Sequence, residues 1–261
     1  MKDKKIKGEP LIKLSKRENI ERKRAWTYRA IAIAVALIVD GLIIMLVAQM
    51  NPVDIYETIW MGAFGTTRKV WITLKELSLL LLISIALTPA FKLTFWNLGG
   101  EGQVLMGAWA TAVCMLYLGD SLPNGVLLII MLVAAILAGA AWAFIPAIFK
   151  AKWGTNETLF TLMMNYVAIQ LVAYFIIKWE VPKGSGHVGI INQSDMAGWL
   201  PYLGTNSYPL IVGFVVIVTI GMHIYLNYSK HGYEISVVGE SQRTARYVGI
   251  KVDRVIIRTL I

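Results

Sequence analysis

The chain has 261 residues, 57% of them hydrophobic and only 16% charged, with a formal net charge of +9. Soluble domains carry about 25% charged residues, so an ordinary water-solvated globule is excluded. The basic residues cluster at the ends of apolar runs rather than along an aromatic groove, which argues for a membrane protein with inward-facing basic loops and against nucleic acid as a partner. The single cysteine, Cys114, excludes a disulfide within the chain; inside an apolar run it reads as a small buried hydrophobe.

In chain order, residues 1–29 form a basic tail ending in Arg22, Lys23, Arg24 and Arg29, with Trp26 and Tyr28 at the membrane junction. The apolar run that follows, 30–50, is too long for a signal-peptide core and predicts a first span. Pro52 stops it. Residues 51–76 are mixed and read as an outer loop lying partly on the membrane. The remaining predicted spans are 77–90, short and interrupted at Thr88-Pro89, then 104–118, 125–149, 158–177 and 208–227. Residues 119–124 form a turn, 178–207 a polar loop, and 228–249 a basic stretch. The last residues turn apolar again, where a seventh span would begin, so the chain reads as a truncated one. The expected fold is all-α, a polytopic transmembrane bundle with broken helices, divided into the tail 1–29 and a transmembrane body 30–261.

Six crossings with the basic tail inside place Lys150, Lys152 and residues 229–258 inside, and 119–124 and 178–207 outside. Arg68, Lys69 and Lys75 in the outer 51–76 segment dissent from the pattern.

Catalytic signatures are missing. There is no zinc-binding His-Glu-x-x-His and no Gly-x-Ser-x-Gly elbow, and Gly184-Ser185-Gly186-His187 fits no nucleophile spacing. Nor is there a phosphate loop ending in Gly-Lys-Ser or Gly-Lys-Thr, so if ATP powers the protein another chain binds it.

The segment around Phe95-Trp96-Asn97-Leu98-Gly99-Gly100-Glu101-Gly102-Gln103 is the most informative. Each of its three glycines disfavours a helix by about 1 kcal/mol. Unwound backbone at membrane depth is tolerated only where protein buries it or water lines it, and broken helices mark binding sites in transporters. The alternative is a plain loop with turn glycines. Thr158, Thr161 and Asn165 make a polar stripe within about 60° of arc, suited either to a solute path or to bonding a neighbouring helix. Asp40, mid-span, must pair inside the bundle or serve an ion path. His223 reads as interfacial. Ala135, Gly139 and Ala143, with Ala134 and Ala138, repeat every four residues and suit close helix packing. Trp153, Trp179 and Trp199 fit interfacial anchors; Trp96 and Trp109 suit packing or stacking on a solute ring. In 232–249 a short helix is predicted from Ser241 as N-cap, either docking on a partner or simply solvated.

Three segments carry a family resemblance. Residues 95–107 resemble the Phe-Asn-Ile-Gly-x-Glu-Gly-Gln segment of nucleoside-type ATP-binding-cassette permeases, with Trp96 as an insertion. Gly154-Thr155-Asn156-Glu157 with Met163-Met164-Asn165-Tyr166 is similar to their Gly-x-Asn-Glu…Met-Leu-Asn-Tyr motif. Gly239-Glu240-Ser241 with Ala245-Arg246-Tyr247-Val248-Gly249-Ile250 resembles their Gly-Glu-Asn…Ala-Arg-Tyr-Ala-Gly-Ile motif. The resemblance implies a permease subunit, not an enzyme, in a bacterial plasma membrane with its N-terminus cytoplasmic. It implies no cofactor on this chain, with ATP on a partner ATPase, a second permease subunit of the same or a related kind, and an extracellular substrate-binding lipoprotein. Trp96, Asn97, Glu101, Gln103 and Asn165 are then the expected path residues. Gly239, Glu240, Arg243, Arg246 and Tyr247 are the expected ATPase-coupling residues, with both arginines facing acidic partner residues. Ribose-like sugars and branched-chain amino acids are rival substrates within the class. An ion-coupled transporter using Asp40 and Glu101, and a channel or scaffold subunit, are rivals outside it.

Overall fold

A membrane chain must satisfy its backbone internally, and helices do so segment by segment. The computed structural model describes residues 21–204 and 206–261, so 1–20 of the expected basic tail lie outside the described residues. Among these residues there is no strand beyond an isolated bridge between Leu203 and Asn206. The chain divides at Lys69/Val70 into two units.

The first unit holds α1 (Arg22–Ala48) and α2 (Pro52–Phe64). α1 begins ahead of the predicted span because nothing in the basic segment 22–29 breaks a helix. At 1.5 Å per residue its 27 residues reach about 40 Å, more than a bilayer core. Gln49 turns the chain with φ 52°, and the Asn51 side chain accepts the Val53 N–H at 3.1 Å to cap α2. Asn followed by Pro is a helix-start signal. It corrects the reading of 51–76 as an outer loop, because this stretch forms α2 and the first turns of α3. α2 packs on α1 at Gly41, where a Cβ would lie 3.4 Å from the Pro52 side chain. Tyr56 donates to the Leu37 carbonyl at 2.7 Å and its hydroxyl lies 3.2 Å from the Asp40 carboxylate, giving that mid-span acid a partner.

α3 (Thr67–Lys92) carries the boundary between the units. Pro89 lies inside it without interrupting it, near the last turn and buried. The second unit continues with α4 (Gly100–Leu118), α5 (Asn124–Trp153), α6 (Glu157–Trp179), α7 (Tyr208–Tyr228), α8 (Lys230–Glu240), α9 (Gln242–Tyr247) and α10 (Val252–Leu260). Among the described residues five helices, α1, α3, α5, α6 and α7, are long and apolar enough to cross a membrane. α4, expected as a sixth span, has 19 residues but opens with Gly-Glu-Gly-Gln, and it packs on α5 and α6.

A buried apolar cluster gathers where the ends of α3, α5 and α7 meet α8–α10. It includes Leu93, Phe95, Ala147, Leu226, Ile235, Val238, Ala245, Val255 and Ile256. Val252, Val255, Ile256 and Leu260 recur at helical spacing, so the apolar turn read as the start of a seventh span is the buried face of α10.

Candidate functional site

The glycine-rich break is made by a helix stop and a helix start in quick succession. α3 ends in a Schellman motif: Phe95 N–H bonds to Ala90 O at 2.9 Å and Thr94 N–H to Phe91 O at 3.0 Å. Thr94 takes the left-handed position with φ 60°, which a β-branched residue rarely adopts. The chain then turns tightly at Trp96, where the Asn97 N–H bonds back to Phe95 O at 2.9 Å, and Asn97 Oδ1 accepts the Gly99 N–H at 2.9 Å before α4 begins at Gly100.

α6 holds this break from the side. Glu157, Thr161 and Asn165 are four residues apart and fall within about 80° of arc. The Glu157 carboxylate takes Lys150 Nζ at 2.6 Å and lies near the Trp96 backbone. Thr161 Oγ1 donates to Glu157 O at 2.7 Å and accepts the Leu98 N–H at 3.1 Å. Asn165 Nδ2 donates to Leu98 O at 2.7 Å, and its Oδ1 accepts the Gly102 N–H at 2.9 Å. Gly99, at the N-cap of α4, has no side chain to cap with, so Asn165 caps α4 from a neighbouring helix.

The glycines permit the approach. A Cβ at Gly102 would lie 2.9 Å from Asn165 Oδ1 and 3.0 Å from Trp142 Nε1, and one at Gly99 would lie 3.1 Å from Thr161 Cβ. On the other side of α4, Gly107 and Gly139 let α5 close in, 3.4 Å from Ala135 O and 3.6 Å from Gln103 O respectively. The small-residue stripe of α5 therefore packs closely, as its spacing suggested, and its partner is α4.

The expected path residues separate into two groups. Asn97 and Asn165 are buried, with their amides engaged on backbone. Trp96 is 58% exposed and edge-on to Phe91 at 5.8 Å, and Glu101 is exposed in the first turn of α4. Half-buried Gln103 lines an apolar groove of about 440 Å³ between α3, α4 and α5, with Thr111 as its other polar side chain. Thr158 takes no part in the ties to the break. Glu157 does, though the sequence reading placed it only at the opening of the span. Its signal was the four-residue spacing to Thr161 and Asn165.

At the other candidate surface, Ser241 accepts the Thr244 N–H at 3.3 Å and caps α9, as predicted. Gly249, at φ 83°, closes α9 with a second Schellman motif, Ile250 N–H to Ala245 O at 2.9 Å. Ala245 is fully buried, while Glu240, Arg243, Arg246 and Tyr247 are exposed, Tyr247 by 91%. Gly239 faces inward: a Cβ there would overlap the Lys92 carbonyl and come 3.4 Å from Leu93 Cα. It is a packing contact between α8 and the end of α3.

Other candidates take structural places. His223 is exposed, with Nδ1 3.2 Å from Asn227. Cys114 is half-buried and free. Trp109 packs on Phe175 with ring centroids 4.9 Å apart. Ser185 and His187 belong to a turn closed on Glu180, whose carboxylate accepts the Gly184 and Gly186 N–H groups at 2.7 and 2.8 Å. Those two bonds hold Glu180 below the usual carboxylate range. Among the described residues no three His, Cys, Asp or Glu side chains group as a metal site.

Comparison with known proteins fits this architecture. A guanosine ABC transporter permease protein of Bacillus subtilis is 32% identical over 225 residues, 85% of this chain and 64% of its own length. A nucleoside ABC transporter permease protein of Lactococcus lactis is 28% identical, covering 85% and 63%. A glucose ABC transporter permease protein of Haloferax volcanii is 28% identical, covering 92% and 65%. The chain thus spans slightly less than two thirds of the length of these relatives. No solved structure matches it. The family described as branched-chain amino acid transport system / permease component matches residues 70–261, and the chain belongs to that family.

Proposed function

We propose that this chain is the membrane subunit of an ATP-driven importer that moves nucleosides inward across a bacterial plasma membrane by alternating access. The observation that carries the substrate is its likeness to guanosine and nucleoside permeases over 85% of its length. A sugar is the second reading, supported by the similar likeness to a glucose permease. ATP would bind a separate cytoplasmic ATPase, a binding lipoprotein would deliver solute outside, and a second permease subunit would complete the path.

In this reading α9 docks in a groove of the ATPase, with Arg243, Arg246 and Tyr247 outward and Ala245 as its seat. Ala245 and Val238 share one buried cluster with Leu93 and Phe95, and Gly239 abuts the Lys92 carbonyl. A push on α9 therefore reaches the end of α3 without a compressible gap. From there it passes to Trp96–Gly102, which α6 holds at Glu157, Thr161 and Asn165. The exposed Glu101 and Trp96 and the groove residue Gln103 are the side chains this movement would present to solute. Charge reversal at Arg246 tests the docking: Arg246→Glu in the full-length permease should abolish ATP-dependent uptake while the protein still inserts and folds. Unchanged uptake would remove α9 from the coupling role.

A further inference from the structure

Beside α9 lies a cavity that coupling does not use. α8, the turn after α9, and α10 enclose about 390 Å³, lined by Lys230, Glu234, Lys251, Arg254 and Arg258 with an apolar wall that includes Val248 and Ile250. Four cations face one carboxylate, a net charge of three. That carboxylate is already committed, since Arg258 Nη2 lies 2.7 Å from Glu234 Oε2. Lys230, Lys251 and Arg254 form no ion pair among the described residues. The convergence is built in by α10. Its apolar residues are spent on the core, which leaves Lys251, Arg254 and Arg258 within about 60° of arc on the open side. Asp253, the single acid of α10, lies about 100° away from Arg254 and does not line the cavity. α10 also starts here without a side-chain cap, so its first N–H groups and the positive end of its dipole add to the field.

Such a site wants an anion, and its position says which. Lys230 follows the last residue of the span α7, Tyr228, by two positions across the extended Ser229, at most about 7 Å of chain. The headgroup layer is about 5–7 Å deep on each side of the hydrocarbon. The cations therefore sit at headgroup depth, and the wall of Val248 and Ile250 suits the glycerol and first acyl carbons better than a free ion. We propose that this cavity binds the phosphate headgroup of an anionic phospholipid, with Lys230, Lys251 and Arg254 as its ligands and the Glu234–Arg258 pair as its fixed wall. The proposal does not depend on what the protein transports.

The test uses the full-length permease in nanodiscs of phosphatidylcholine doped with phosphatidylglycerol, with bound lipid read by native mass spectrometry. A basic side chain near an anionic headgroup strengthens binding about fivefold, so Lys251→Gln with Arg254→Gln should lower phosphatidylglycerol retention by roughly 25-fold. Lys251→Arg with Arg254→Lys should keep it, which separates charge from folding. Lys152→Gln, a basic change at the end of α5, should leave it unaltered. Equal retention by wild type and the double glutamine variant would overturn the proposal. So would displacement of the lipid by millimolar inorganic phosphate, which would make the site one for free anions.

Discussion

Asn165 is the side chain on which the break depends most, and its removal has a calculable cost. Asn165→Ala deletes both the 2.9 Å bond from Gly102 N–H and the 2.7 Å bond to Leu98 O. A buried group left without a partner costs about 1–3 kcal/mol. Side-chain bonds between membrane helices average only about 0.6 kcal/mol, because the unfolded chain in lipid finds other partners. Both groups here belong to backbone outside or at the very start of a helix, where no substitute lies nearby, so the loss should fall at about 2–4 kcal/mol. In a protein of this size that lowers the melting temperature by roughly 5–15 °C. Gly102→Ala should destabilise by a different route, since its Cβ would enter 2.9 Å from Asn165 Oδ1. The two changes share that atom, so the double variant should be about 1 kcal/mol more stable than the sum of the singles. Thermal unfolding of the purified full-length permease and its three variants measures all of this. An unshifted Asn165→Ala, or strict additivity, would refute the cross-helix cap.

Three further outcomes follow from the geometry. Gly239→Ala forces α8 off the Lys92 carbonyl; ATP hydrolysis by the assembled transporter should persist while uptake falls at least tenfold, and equal loss of both would point to misassembly instead. Gly249→Ala places a side chain at φ 83° in the turn closing α9, at a cost of about 1 kcal/mol, visible as faster protease cleavage near Tyr247. The Glu180 carboxylate is depressed by the Gly184 and Gly186 N–H groups. A depressed folded pKa contributes stability that is fully present above the unfolded value and is lost as pH falls through the folded one. Pepsin should therefore open the 180–187 turn only below the ordinary carboxylate range, and Glu180→Gln should leave it open to cleavage at every pH tested.

Much of the architecture was legible because lipid-spanning helices announce themselves by length and apolarity. The α9 cap at Ser241 and the close packing of the small-residue face of α5 were readable too, since a capping serine and small residues at four-residue spacing have local causes; that α4 is the partner was not. The 51–76 segment misled because its mixed composition hid Asn51-Pro52, a helix start rather than a loop. The role of Asn165 was not readable. A polar stripe on an apolar helix looks the same whether it faces solute or a neighbour's backbone, and only the position of Leu98 and Gly102 decides. Gly239 was undecidable for the same reason, because its lack of a side chain matters only against the Lys92 carbonyl. The basic cavity was hidden in the net charge, whose arrangement depends on which face of α10 the core consumes.

The most direct test of the central proposal is uptake of radiolabelled guanosine by cells lacking their own nucleoside importers and expressing the full-length permease with its neighbouring operon partners. A parallel strain would carry an inactivated ATPase. The account predicts uptake that disappears with the ATPase and is competed by other nucleosides but not by glucose or ribose. Uptake that persists without the ATPase, or that glucose abolishes while nucleosides do not, would contradict it.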